Sequence, residues 1–201
     1  HGEGKDYLEL HSNFSGHEDE EDETKAEEKE RWRKSEKAGM IRPKMTYRLA
    51  KNCYSCHVVP QEKLVNKGKH PAGSDFELVA WSQGEVRHNV WYNDAKANPR
   101  ADKNRRRKFF VVGMAVELET ALRAVGNATE KAEYAVSMAK RANRARKRWA
   151  QATKLCGKID EMVKIAQIAN NAGLKLNNKA ALTKAADNIG DLTQTLMADY
   201  E

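Results

Sequence analysis

The chain has 201 residues with a formal net charge of +7, 40% hydrophobic and 32% charged. That balance belongs to long solvated helices and argues against a thick multilayer core. No window holds 18 consecutive apolar residues, which excludes a bilayer-spanning helix, and the basic runs lack the interleaved aromatics of a single-strand nucleic-acid platform.

Residues 1–40 read as an irregular leader. Gly2, Gly4, Ser12 and Gly16 give way to the acidic run Glu18-Asp19-Glu20-Glu21-Asp22-Glu23, and Glu27 to Lys37 has helix-forming composition but almost no apolar stripe. Such a segment is ordered only by leaning on something else. The positive charge gathers later, in Arg100 and Lys103 to Lys108 and again in Lys140 to Arg148. The chain is therefore bipolar, suited to docking on an acidic protein surface or on its own acidic segment, although such runs are more often simply solvated helix faces. The opening at His1, with neither Met nor an apolar leader, fits a mature exported protein whose signal peptide has been removed, so a periplasmic or extracellular location is the expectation.

Residues 41–100 are divided into short elements by Pro43, Pro60, Pro71 and Pro99, the expectation for a small irregular module. Within it Ser74-Asp75-Phe76-Glu77 has the spacing of a capping box and predicts a helix over roughly 75–89, with Trp81 and His88 on one stripe.

From 101 to 201 there is no proline, and apolar residues fall into heptad-like rows. Val111, Ala115, Leu118, Leu122 and Val125 form one. Ala135, Met138, Ala142, Ala145, Trp149 and Ala152 form another; Leu182, Ala185, Ile189, Leu192 and Leu196 form a third. They predict long helices over 102–125, 128–172 and 178–199 in an antiparallel bundle, ending near Gly126-Asn127 and Gly173. The small residues of the second row suit close helix approach or packing against another subunit. The fold class is mainly α, with the small module preceding the bundle.

The three cysteines are the sharpest compositional signal. Cys156 stands alone in a helical pattern, the place of a small buried hydrophobe, so no disulfide framework is implied. The other two form Cys53-Tyr54-Ser55-Cys56-His57, a CxxCH. Two thiols in one helical turn can each add to a haem vinyl group, and the adjacent imidazole then points at the iron. A zinc half-site would need a second Cys or His pair, and a thioredoxin-like pair a βαβ unit; the sequence supplies neither. The motif predicts one covalent haem c, with Cys53 and Cys56 as thioether anchors, His57 as proximal ligand, and Tyr54 and Trp81 as candidates for packing on it. The sixth iron position separates electron transfer from ligand binding. His88 is the leading candidate and His70, on a Gly-rich loop, the second, with His11, Met40, Met45 or an open position as alternatives.

The stretch from Met45 to His88, with YRLAKN before CYSCH and GKHPAGSDFELVAWSQGEVRHN after it, resembles the multihaem cytochromes related to the cytochrome c-554 and octahaem groups. The leader LELHSNFSG resembles the segment that precedes a further haem motif in such proteins. Here that second CxxCH is missing and the acidic run stands in its place, so the resemblance is to a one-haem derivative and leaves His11 without an assigned haem. The similarity extends into FVVGMAVELETALRA and YAVSMAKRA, about half the chain. It implies bis-histidine, low-potential haem and periplasmic electron transfer.

The leading expectation is a mono-haem electron carrier with a redox partner protein, as a homo-oligomer or a subunit of a larger complex, with no membrane span and no nucleic acid. A five-coordinate gas-binding or sensing protein and a haem-bearing assembly subunit are the alternatives. An enzyme is not expected, since no nucleophile, paired-carboxylate or phosphate-loop pattern has supporting context.

Overall fold

The computed structural model describes residues 2–83, 100–157 and 159–198. Among them every regular element is helical, the mainly α fold the sequence predicts. The chain divides into two compact units, His1–Leu49 and Ala50–Glu201, and the division falls within a helix.

The first unit contains α1 (Leu8–Ser12) and α2 (Lys25–Lys37). A capping box opens α2: Thr24 Oγ1 accepts from the Glu27 amide at 3.3 Å while Glu27 Oε2 accepts from the Thr24 amide at 2.9 Å. At its other end Gly39 takes φ +104, and the Met40 amide reaches back to the Ser35 carbonyl at 2.9 Å, a Schellman closure. Order here comes from Arg31, only 3% exposed. Its guanidinium donates to Glu23 at 2.8 and 2.9 Å, to Glu20 at 2.7 Å and to the His11 carbonyl at 2.7 Å, and lies over the Phe14 and Trp32 rings. The acidic run thus folds back on a buried cation, which is the support that its missing apolar stripe called for.

The helix that the division cuts is α3 (Thr46–His57), and it ends on the CxxCH. In the second unit follow α4 (Glu62–Asn66), α5 (Leu78–Gln83), α6 (Lys103–Asn127), α7 (Glu133–Cys156), α8 (Asp160–Asn171) and α9 (Lys179–Ala198). The central element is α6, which packs on α5, α7 and α9, while α8 packs on α7 and α9. All three predicted rows face inward over most of their length: Leu118, Leu122, Met138, Ala142, Trp149, Leu182 and Ile189 are fully buried. Close approach is built in at two glycines. A Cβ at Gly113 would lie 3.0 Å from Leu78 Cβ, and one at Gly126 would lie 3.3 Å from Leu182 Cβ.

The structure departs from the expected helices in two places. The predicted 128–172 helix is two, α7 and α8, because Gly157 adopts φ +82 and ψ −161, a conformation open in practice only to glycine. The predicted 75–89 helix begins later, as α5 at Leu78, and its residues 84–89 lie outside the described part of the chain. Its cap is Glu77, whose carboxylate accepts from the Val79 amide at 3.1 Å and the Ala80 amide at 2.7 Å, while the Ser74 hydroxyl has a different partner.

Polar contacts tie α4 to the bundle. Glu62 on α4 accepts from the Thr129 amide at 3.0 Å and its hydroxyl at 2.7 Å, and the Asn66 side chain accepts from the Tyr134 amide at 2.9 Å, so α4 caps the start of α7. At the far end of α7, buried Trp149 donates from Nε1 to the Met162 carbonyl at 3.0 Å. This fixes α8 against α7 across the glycine break.

Candidate functional site

The last turn of α3 carries Cys53, Cys56 and His57, so Cys53 and His57, four residues apart, share a helix face with Cys56 beside them. Both cysteines are unbridged thiols, Cys53 half-buried and Cys56 exposed. Burial pushes the Cys53 thiol up, which favours its protonated form at neutral pH.

His57 is held from three sides. One ring face stacks on Phe76 with centroids 4.0 Å apart and planes inclined by 10°, and the Trp81 ring meets it edge-on at 5.3 Å. Its Nδ1 lies 3.1 Å from Ser74 Oγ. With the imidazole proton on Nδ1 donating to that hydroxyl, the ring lone pair resides on Nε2, the nitrogen a metal would take.

Ser74 reaches this position because its loop is folded over the end of α3. The Ser74 amide donates to the His57 carbonyl at 3.3 Å, satisfying one of the carbonyls left open at the helix terminus. Gly73, with φ +104, permits it: a Cβ there would stand 2.8 Å from the His57 carbonyl oxygen and 3.1 Å from Arg141 Nη1.

Arg141 on α7 braces the loop from below. Only 4% exposed, it donates from Nη1 to the Ser74 carbonyl at 2.8 Å and places Nη2 3.1 Å from Glu117 Oε1 on α6. The second Glu117 oxygen pairs with Arg148 at 3.2 Å. The ion-pair alignment leaves Arg141 Nε and Nη2 without hydrogen bonds. A second buried carboxylate, Glu119, pairs with Lys51 on α3 at 3.1 Å and with Arg123 at 2.8 Å. Charged pairs thus fasten the motif helix and its loop to the bundle.

Of the residues singled out from sequence, the structure brings Tyr54, His57 and Trp81 against Phe76, with Cys53 and Cys56 on the same end of α3 as His57. Tyr54 is buried, its ring edge-on to Phe76 at 5.0 Å and its hydroxyl beside Gly113 of α6, and burial raises its phenol well above the ordinary range. Trp81 is half-buried. His70 is exposed, with Nδ1 2.8 Å from the Pro71 carbonyl. His88 lies outside the described residues. In the first unit His11 Nδ1 lies 2.7 Å from the Leu8 carbonyl, Met40 is buried, and the Met45 sulfur accepts from Arg48 at 3.7 Å. Cys156 is exposed, against the expectation of a buried hydrophobe, because α7 ends on it just before the Gly157 break.

Ser74, Phe76, Gly73, Arg141 and Glu117 are the residues that sequence reasoning missed. Phe76 and Ser74 stood in the predicted capping box, and Arg141 in a run taken for a solvated face. The usable signal was Glu117 and Glu119 inside the apolar FVVGMAVELETALRA, since two acids on a buried helix call for cations on its neighbours.

Among the described residues no three His, Cys, Asp or Glu side chains converge on a bare-ion site, and no strand provides a thioredoxin-like setting. The donor set does fit a covalent porphyrin: two unbridged thiols on one helical turn, and an imidazole whose ring is oriented by Ser74, Phe76 and Trp81. Comparison with protein-family models, curated proteins and solved structures found no match to this chain.

Proposed function

We propose that this protein is a mono-haem c-type cytochrome that transfers electrons outside the cytoplasm. The observation that carries the reading is the fixed His57 imidazole directly beside two unbridged thiols. Bound haem supplies a one-electron iron couple. The chain's own residues attach and tune it. Cys53 and Cys56 would hold the haem as thioethers, each S–H adding across one vinyl group, sulfur to one carbon and hydrogen to the other, with nothing released. His57 would hold the iron through Nε2, with Nδ1–H donating a hydrogen bond to Ser74 Oγ and so orienting the ring. Phe76 and Trp81 hold the imidazole plane, and buried Tyr54 backs the turn against α6.

The reading includes a six-coordinate His/His iron with His88 or His70 as sixth ligand, a redox partner protein, and self-assembly or membership in a larger redox complex. Absorption and electron paramagnetic resonance spectra of the oxidised and reduced protein, repeated for His88→Ala and His70→Ala, test it. A low-spin spectrum that turns high-spin in one of the two variants is the expected result. Ready carbon monoxide binding by the unmodified ferrous protein at neutral pH would instead support the gas-binding alternative.

A further inference from the structure

At the end of the bundle where α6 begins and α9 finishes lies a cleft of about 450 Å³, within the range of about 300–1,000 Å³ typical of small-molecule sites. Val111 of α6, Met162 of α8, and Leu196 and Met197 of α9 form its apolar floor. Its rim is cationic: Arg107 and Lys108 stand one helical turn before Val111, on the same face of α6. Cys156 lies at the mouth.

Three properties converge on one ligand class. The floor rewards hydrocarbon in proportion to the area covered, and its two methionines adapt to a flexible chain rather than to one rigid shape. The two rim cations have no carboxylate partner among the described residues, and none of the described residues that line the cleft is acidic, so this lining favours negative charge. A cationic ligand would be repelled by this rim and a neutral one would gain nothing from it.

We propose that this cleft binds one single-chain amphiphile with an anionic head, its hydrocarbon on the methionine floor and its head between Arg107 and Lys108. The site is independent of the haem motif, sharing none of its residues.

Dodecanoate and shorter homologues, kept below their micelle concentrations, are the probes. They are titrated into the full chain by calorimetry, and alkylation of Cys156 is followed in parallel by peptide-resolved mass spectrometry, which separates it from Cys53 and Cys56. The expected result is one ligand per chain, affinity rising about fourfold per added methylene until the cleft is full, and at least tenfold slower Cys156 alkylation at saturation. Dodecyltrimethylammonium should bind at least tenfold more weakly than dodecanoate. Arg107→Ser/Lys108→Ser, two changes at the rim, should retain native circular dichroism and lose at least tenfold in dodecanoate affinity. Val111→Glu provides a second variant, placing like charge beside the head, and should lose binding similarly. Equal binding of the cationic amphiphile, no protection of Cys156 by dodecanoate, or sedimentation with anionic phospholipid vesicles in the absence of dodecanoate binding would overturn the proposal.

Discussion

Replacing Arg141 with Met tests whether the charged brace beneath the His57 loop holds the structure as its geometry implies. Methionine keeps most of the volume but removes the 2.8 Å donor to the Ser74 carbonyl, a charged hydrogen bond worth about 1.5–3 kcal/mol. It also removes one of two cations from Glu117, which is 7% exposed. Breaking a buried pair outright costs about 3–5 kcal/mol, but Arg148 remains 3.2 Å from the other Glu117 oxygen, and the two unsatisfied Arg141 nitrogens disappear with the side chain. The gains and losses leave a net destabilisation of about 2 kcal/mol, which for a chain of this size lowers Tm by roughly 4–8 °C. Arg141→Met/Glu117→Leu should recover at least about 1 kcal/mol relative to the sum of the single changes, since apolar replacement of a buried pair is often neutral or stabilising. Urea unfolding followed by far-ultraviolet circular dichroism gives all four stabilities of the cycle. An Arg141→Met protein within about 0.5 kcal/mol of the parent, or a cycle additive within that margin, would refute the assigned brace.

Ser74→Ala should cost only about 0.5–1.5 kcal/mol in stability yet shift the His57 ring towards a mixture of tautomers; nitrogen NMR of the imidazole reads this, and unchanged ring shifts would remove Ser74 from its orienting role. Gly157→Ala, where no atom lies within 4 Å of the added Cβ, isolates backbone strain at φ +82 and should cost about 1–3 kcal/mol by thermal unfolding, whereas a neutral or stabilising result would contradict the α7–α8 break. Burial pushes the Tyr134 phenol from its ordinary 10.0 up to about 12 and raises that of Tyr54 as well. Both groups favour the neutral form in the folded chain, so the stability they contribute is fully present below pH 10 and is lost as pH climbs from about 10 through about 12. Ultraviolet titration should therefore show tyrosinate forming in at least two steps, the later one coinciding with unfolding, and a single step near 10 would count against the burial of both rings.

The helical class and the buried rows were legible because periodicity survives in the sequence wherever a helix has one core-facing stripe; Leu118, Leu122, Trp149 and Ile189 follow it directly. The CxxCH was legible because its spacing is itself chemical. What failed to show were long-range choices among local options. Ser74-Asp75-Phe76-Glu77 satisfies the capping-box pattern, yet Ser74 Oγ bonds His57 and Glu77 caps α5 alone, a decision made by where the loop meets α3. Gly157 offered no local hint that it would divide a helix, since a glycine inside a helical pattern is usually tolerated. Arg31 and Arg141 sat in charged runs that look alike whether solvated or buried, and only the placement of Glu23 and Glu117 opposite them distinguishes the two cases. The same blindness applied to Cys156, whose exposure follows from the helix end rather than from its neighbours in sequence.

The central claim is that the two thiols of α3 carry porphyrin beside the His57 imidazole. The most direct measurement is intact-chain mass spectrometry, with haem peroxidase staining, of protein made alongside a cytochrome c maturation system, denatured and stripped of non-covalent material. The account predicts the polypeptide mass plus one haem, a positive stain, and loss of both in Cys53→Ser/Cys56→Ser. Bare polypeptide mass with no stain would contradict it and leave a helical protein with three unbridged thiols.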